Sequence, residues 1–116
     1  LVAQEAVDYF NIKLSKSGGL RNAVKINAIA EGAGIRCMIG CMSESRLGIS
    51  ANAHFASALH NVVFYDLDSP FEHAQDPVVG GIAYQNHYQV IIPDAPGHGA
   101  DVDMAYLQKM ESFVVK

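Results

Sequence analysis

Residues 9–41 read YFNIKLSKSGGLRNAVKINAIAEGAGIRCMIGC, and they carry the pattern of one strand–helix–strand unit. Short apolar runs predict strands over 9–14 and 36–40. Between them, apolar residues recur at helical spacing over 20–31, which predicts an amphipathic helix. Ser17 is predicted to cap that helix, because a hydroxyl can accept from its first free N–H groups. Two strands joined in this way through a helix are expected to pair in parallel.

The same pattern repeats in the next segment of the chain. Residues 47–59 predict a helix capped by Ser43 or Ser45, and we expect it to be largely buried because it lacks Asp, Glu, Lys and Arg. Residues 62–65 form a continuous apolar run, which is typical of parallel strands covered on both faces. Residues 1–7 resemble the last turns of a preceding helix. The order is therefore βαβαβ, an α/β arrangement with a parallel sheet.

The pattern changes after Pro70. Alternating residues on both sides of Asn86-His87 predict a β-hairpin. We therefore expect three βα units over residues 1–70 and a different, C-terminal part over residues 71–116. The predicted elements of that second part are the hairpin strands 82–85 and 88–92, a proline- and glycine-rich loop over 93–99 and a short helix over 103–110.

Composition excludes several classes of protein. A chain of 116 residues, half of them hydrophobic and 17% charged, is expected to form one globular domain. The net charge is −4 with only 8 Lys and Arg, so no nucleic-acid partner is expected. No apolar stretch approaches the roughly 20 residues of a membrane helix, so no membrane partner is expected either. Two cysteines and no recognisable signal peptide favour a cytoplasmic protein. The start at Leu1 and the high apolar content suggest a piece of something larger.

Polar side chains follow the predicted strands at the ends where α/β proteins bind ligands. Lys13 lies near the end of the first strand and can act as a proton-transfer base, although most lysines at such positions are merely solvated. Asp66 and Asp68 follow the third strand on one face, roughly 7 Å apart along the chain. They can hold a divalent metal or bind an ammonium group. Alternatively, Asp68 simply begins a turn.

Other familiar site patterns are missing from the sequence. Cys37 and Cys41 would lie about 13 Å apart in a strand, too far for a disulfide, and they lack the second pair of a zinc site. Neither a dinucleotide-binding fingerprint nor a G-x-S-x-G motif occurs. The remaining candidates share one location, because Lys13, residues 41–43 and the two aspartates all follow predicted parallel strands. In a (β/α)8 barrel such positions lie on one rim around one site.

Three motifs resemble the last three βα units of the enolase superfamily. They are NIKLSKSGG at 11–19, MIGCMSESRLG at 38–48 and DLDSP at 66–70. The subgroup they resemble most is the dipeptide epimerases of the L-Ala-D/L-Glu type. Gly80-Gly81 and PGHG at 96–99 also match that family's C-terminal segment. The resemblance covers nearly the whole chain and implies the C-terminal part of a (β/α)8 barrel: about three βα units and a terminal hairpin.

The resemblance also implies roles for individual residues. Lys13 matches one of two acid/base lysines on opposite faces of the substrate α-carbon. Asp66 and Asp68 match the pair that binds the α-ammonium group of a dipeptide. Cys41 and Ser43 match positions that contact the substrate. The implied reaction inverts an α-carbon of a dipeptide through a metal-stabilised enediolate.

The resemblance further implies a Mg²⁺ cofactor whose ligands lie on barrel strands outside this chain. We therefore expect no metal ligand in the chain. We also expect that, by itself, the chain does not catalyse the reaction, and that it pairs with the remaining barrel half or self-associates.

Two alternatives remain open. One is another enolase-superfamily reaction, such as a muconate-type cycloisomerisation or o-succinylbenzoate synthesis. Asp66 and Asp68 argue against it, because those substrates carry no ammonium group. The other is a non-catalytic βαβ assembly module.

Overall fold

Three parallel strands form the main sheet of the computed structural model, which describes residues 1–86 and 88–113. They lie in the order β1, β2, β3, and their bounds are Tyr9–Ile12, Arg36–Ile39 and Val62–Tyr65. Helix α2 (Leu20–Gly32) connects β1 to β2, and helix α3 (Arg46–Ser57) connects β2 to β3. The predicted βαβαβ order with a parallel sheet is therefore confirmed.

One face of the sheet carries the core, because alternate residues of β1 and β2 are buried against the helices, together with Val62 of β3. The buried residues shared by the sheet and the two helices are Ile12, Ala23, Ala30, Cys37, Ile39, Ile49, Ala53, Ala56 and Val62. The apolar run 62–65 is only partly covered by the described residues of this chain. Phe64 and Tyr65 are 52% and 57% exposed, although the Phe64 ring lies against Tyr9 with the centroids 5.4 Å apart.

The first βα connection differs from its prediction. Strand β1 ends at Ile12, and a short helix α1 (Leu14–Ser17) follows it. Ser17 lies inside α1, where its hydroxyl donates to the Lys13 carbonyl at 2.8 Å, so it does not cap α2. Gly19 takes the capping position of α2 with φ 92°, a conformation that a residue with a Cβ rarely adopts.

Two other helix boundaries also changed. The expected helix over 1–7 is reduced to a 3-10 turn over Val2–Gln4, which buries no residue. Helix α3 begins at Arg46 after Ser45, one of the two predicted caps, although that side chain makes no capping hydrogen bond. The expected burial of α3 is confirmed, since six of its residues are buried.

The C-terminal part forms two small antiparallel ladders. The predicted hairpin is confirmed as β5 (Ala83–Gln85) with β6 (Gln89–Ile91), and His87 of its predicted turn lies outside the described residues. A second ladder pairs β4 (Val78–Gly80) with β7 (Ala100–Val102), which the sequence analysis did not predict. The predicted terminal helix is shorter, α4 (Met104–Leu107), and is capped by Asp103.

In the part of the chain that the structure describes, none of the helices has the length and apolar character needed to cross a bilayer.

Candidate active site at the carboxyl ends of the strands

Lys13 follows β1 directly and keeps extended backbone angles (φ −117°, ψ 119°). Strand alternation therefore continues through it and places it on the face of Asn11, opposite the buried Ile12. Its ammonium donates a hydrogen bond to the backbone carbonyl of Cys41, which follows the neighbouring strand β2. The lysine is thus held by a neutral backbone acceptor rather than by a carboxylate.

Cys41 brings the two aspartates into one cluster. Its Sγ lies 3.4 Å from Asp66 Oδ1 and 3.6 Å from Asp68 Oδ1, and one donor atom from each of the three side chains falls within 4.8 Å of the others. Cys41 is buried, Asp66 is partly buried and Asp68 is exposed. The structure therefore places four predicted residues at the carboxyl end of the sheet: Lys13, Cys41, Asp66 and Asp68.

The electrostatics of this cluster favour a cation. Burial raises the pKa of the Cys41 thiol, and Asp66 raises it further, so at neutral pH the thiol keeps its proton and donates to the carboxylates. Within residues 1–86 and 88–113, the structure has one ion pair. It joins Arg46 Nε to Asp76 Oδ2 at 2.5 Å. No side-chain cation among those residues pairs with either aspartate, so two carboxylates face solvent without a partner charge.

The donor set of the cluster does not suit Mg²⁺. That ion requires oxygen ligands in near-octahedral geometry, whereas a protonated thiol is a poor ligand for it. The third donor atom of the cluster is the Cys41 sulfur and not an oxygen. An organic ammonium group fits the cluster better, because it donates hydrogen bonds to two carboxylates and needs no fixed coordination geometry.

Ser43 is the remaining predicted site residue, and it follows Cys41 by two positions. It is exposed, and its side chain makes no hydrogen bond within the described part of the chain. The loop that carries it is nevertheless well fixed. The Glu44 carboxylate accepts from the Met42 N–H and from the Ser15 hydroxyl, and the Glu44 carbonyl accepts from the Ser69 hydroxyl at 2.8 Å. Glu44 thereby connects the segments that follow all three strands.

Arg46 is a residue whose importance the sequence analysis missed. Its guanidinium pairs with Asp76 and donates to the backbone carbonyls of Val78, Gly80 and Ile82, at 2.6, 2.6 and 3.3 Å respectively. It therefore fastens the C-terminal part to the first turn of α3. The available signal was a single arginine at the beginning of an otherwise uncharged helix.

The chain is similar in sequence to a known protein family and to named enzymes. The family model described as "Enolase C-terminal domain-like" matches residues 1–106. The D-Ala-D/L-Ala epimerase of Cytophaga hutchinsonii is 40% identical over 115 residues, which cover 99% of this chain and 31% of that protein. The L-Ala-D/L-Glu epimerase of Bacillus subtilis is 45% identical over 94 residues, 81% of this chain and 25% of that protein.

Solved structures of epimerases are similar to this chain in fold. A dipeptide epimerase from Cytophaga hutchinsonii, complexed with Mg and the dipeptide D-Ala-L-Val, superimposes with a TM-score of 0.91 at 41% identity, covering 96% of this chain and 30% of that one. A substrate-liganded L-Ala-D/L-Glu epimerase from Bacillus subtilis gives 0.81 at 42% identity, covering 85% and 27%.

This chain spans about a third or less of the length of these relatives, and its three βα units correspond to part of a (β/α)8 barrel. The predicted fold class and the resemblance to the enolase superfamily are thus confirmed. The chain belongs to the enolase C-terminal domain-like family.

Proposed function

We propose that this chain supplies one proton-transfer lysine and the ammonium-binding carboxylates of a dipeptide epimerase, an isomerase that inverts an α-carbon of its substrate. The observation that carries the proposal is the cluster of Cys41, Asp66 and Asp68 beside Lys13. One cation-binding feature and one proton-transfer group lie at the same rim. The relatives named above are epimerases of dipeptides, which supports the same reaction here.

Lys13 would move the proton on one face of the substrate α-carbon. Inversion needs a base on one face and an acid on the other, so the proposal requires a second such group from outside this chain. The bond from Nζ to the Cys41 carbonyl orients the lysine while leaving its charge unpaired. Lys13 would therefore not have to break an ion pair in order to deliver or accept a proton.

Asp66 and Asp68 would bind the α-ammonium group at the dipeptide's N-terminus. Hydrogen bonds between two ionised groups are roughly twice as strong as those between neutral groups, so this contact fixes the distance from the ammonium group to the reacting carbon. It also favours the dipeptide reaction over the muconate and o-succinylbenzoate reactions, whose substrates carry no such group. The exposed Ser43 would contact the substrate from the loop after β2.

The Mg²⁺ expected from the resemblance would be held by residues outside this chain, because the donor set of Cys41, Asp66 and Asp68 does not suit that ion. Mg accompanies the dipeptide in the Cytophaga hutchinsonii structure, which supports the same cofactor in the longer enzyme.

The other barrel strands would also complete the sheet. Strands β1 and β3 are its edges, and their unpaired backbone groups can pair with further strands or with a second copy of the chain. The exposed Phe64 and Tyr65 lie at one of these edges, where such a partner would cover them.

The experiment that tests the ammonium contact uses the longer enzyme containing this chain and compares free with N-acetylated dipeptides. We expect the free forms to be epimerised and the acetylated forms to be poor substrates. Asp66→Asn or Asp68→Asn should raise KM for free dipeptides by about 10- to 100-fold.

The matched control is Asp94→Asn, an exposed aspartate in the loop before β7. It should leave KM unchanged. Equal turnover of the free and acetylated dipeptides by the unmodified enzyme would show that the aspartates do not bind an ammonium group.

A further inference from the structure

Tyr84 of strand β5 reaches across to the segment that carries the two aspartates. Its hydroxyl donates to the backbone carbonyl of Leu67 at 2.6 Å. Leu67 lies between Asp66 and Asp68 and is itself buried. The hydrogen bond therefore holds the Leu67–Asp68 peptide group, one of the two peptide groups that lie between the aspartates.

Regular structure supports only part of this segment. Strand β3 ends at Tyr65, and the last sheet bond runs from the Asp66 N–H to the Ile39 carbonyl at 2.9 Å. The next backbone bond is donated by Phe71 to the Asp68 carbonyl, where a 3-10 turn begins. Between the end of the sheet and that turn, Tyr84 provides the hydrogen bond to the Leu67 carbonyl.

Tyr84 is itself firmly held. Its ring packs against Phe71 with the centroids 4.4 Å apart. Two residues before it, the backbone of Ile82 is fixed at both ends, since its N–H donates to the Ser50 hydroxyl at 3.0 Å and its carbonyl accepts from Arg46. The phenol therefore extends from a rigid support toward the aspartates.

The hydroxyl also remains a donor over the working pH range. Burial raises the pKa of Tyr84 to about 12, and the negative charge of Asp68 contributes in the same direction. The phenol is protonated at neutral pH, so the bond to Leu67 does not depend on a nearby titration.

We infer that Tyr84 is a positioning residue, through which the C-terminal hairpin fixes the Asp66 and Asp68 carboxylates for binding the substrate ammonium group. This inference rests on the proposed function. It gives the hairpin a part in substrate affinity, separate from the proton transfer proposed for Lys13.

The test is Tyr84→Phe in the longer enzyme, with steady-state kinetics on a free dipeptide and on its N-acetylated form. We expect KM for the free dipeptide to rise roughly 3- to 10-fold while kcat changes less than about twofold, since one neutral hydrogen bond is lost. The preference for the free form should shrink. Amide hydrogen exchange at Leu67 and Asp68 should accelerate.

Tyr65→Phe is the matched control. Its hydroxyl also donates to a backbone carbonyl, that of Val62 at 3.1 Å, but this bond lies within β3. It should cause no change in KM or in the preference for the free form. A general effect of losing a tyrosine hydroxyl bond would appear in both variants.

The outcomes separate the two proposals. If the unmodified enzyme prefers free dipeptides and Asp68→Asn loses that preference, while Tyr84→Phe keeps both its KM and its exchange rates, only the role of Tyr84 is wrong. A fall in kcat at unchanged KM would also overturn that role. If the unmodified enzyme does not distinguish free from acetylated substrates, the ammonium contact and the role of Tyr84 both fail.

Discussion

The ends of the parallel strands and the C-terminal ladders are built in different ways. At the strand ends, Lys13, Asp66 and Asp68 meet because the parallel sheet brings its carboxyl ends to one edge. In the C-terminal part, three-residue strands form two separate ladders that depend on single side chains, above all Arg46. The parallel sheet thus sets the positions of the candidate site residues. Individual side-chain hydrogen bonds to backbone carbonyls attach the C-terminal part beside them.

This difference indicates where mutations should act. A change at a strand end removes a chemical group and leaves the fold, because few packing contacts depend on a partly exposed side chain. A change at Arg46 removes four attachments at once and leaves the chemical groups in place. Activity and stability should therefore respond separately in the two regions.

The largest effect is expected for Lys13→Ala in the longer enzyme. Loss of a proton-transfer group typically costs about 10²- to 10⁴-fold in rate, so exchange of the substrate α-proton with D2O from one face should fall by that factor. NMR of the dipeptide α-proton measures it. Lys16→Ala, an exposed lysine three residues away in α1, is the control and should exchange normally. Near-normal exchange in Lys13→Ala would show that Lys13 does not transfer the proton. It would also contradict the expectation that changes at the strand ends act mainly on activity.

A smaller effect, on stability, is expected for Arg46→Ala. Several backbone carbonyls and the Asp76 carboxylate lose a charged donor, so the free energy of unfolding should fall by about 2–4 kcal/mol. Urea denaturation measures it, with the exposed Arg21→Ala as control. Protease sensitivity should increase first within residues 76–102. An unchanged unfolding midpoint would show that the ladders hold without this arginine.

The smallest effect concerns the Cys41 thiol. Because burial and Asp66 raise its pKa, the folded protein binds the thiol proton more tightly than the unfolded chain does. Between about pH 7 and 9, alkylation of Cys41 by iodoacetamide should therefore be slower in the folded protein. The stability contributed by this thiol should be lost as pH rises through the raised pKa.

Asp66→Asn removes one of the raising influences on that thiol and should speed its alkylation modestly, whereas Asp94→Asn should not. Peptide mass spectrometry distinguishes Cys41 from the fully buried Cys37. Equal rates in the folded and unfolded chains would contradict the pKa direction.

The sequence predicted the sheet well, because each strand of the βαβαβ unit is an apolar run bounded by clear turn residues. It failed for β4 and β7, since two three-residue strands separated by residues 81–99 leave no periodic pattern. It also missed α1, where the backbone turns directly after Lys13. The roles of Lys13, Cys41, Ser43, Asp66 and Asp68 stay predictions.

The contacts of Arg46 and Tyr84 could not be foreseen. Both side chains donate to backbone carbonyls. Every residue has the same backbone carbonyl, whatever its side chain. The residue type therefore does not identify which carbonyl accepts the bond. In an ion pair, by contrast, the residue of opposite charge can be recognised in the sequence.

The bond from Lys13 to the Cys41 carbonyl has a consequence for how such a site can evolve. Every residue type at position 41 supplies the same backbone oxygen, so a substitution there leaves the lysine's anchor intact. The side chain at that position is buried and touches both aspartates, so a substitution there changes the surroundings of the carboxylates. Under the proposed function, we expect a single mutation at position 41 to alter substrate preference while the lysine keeps its anchor.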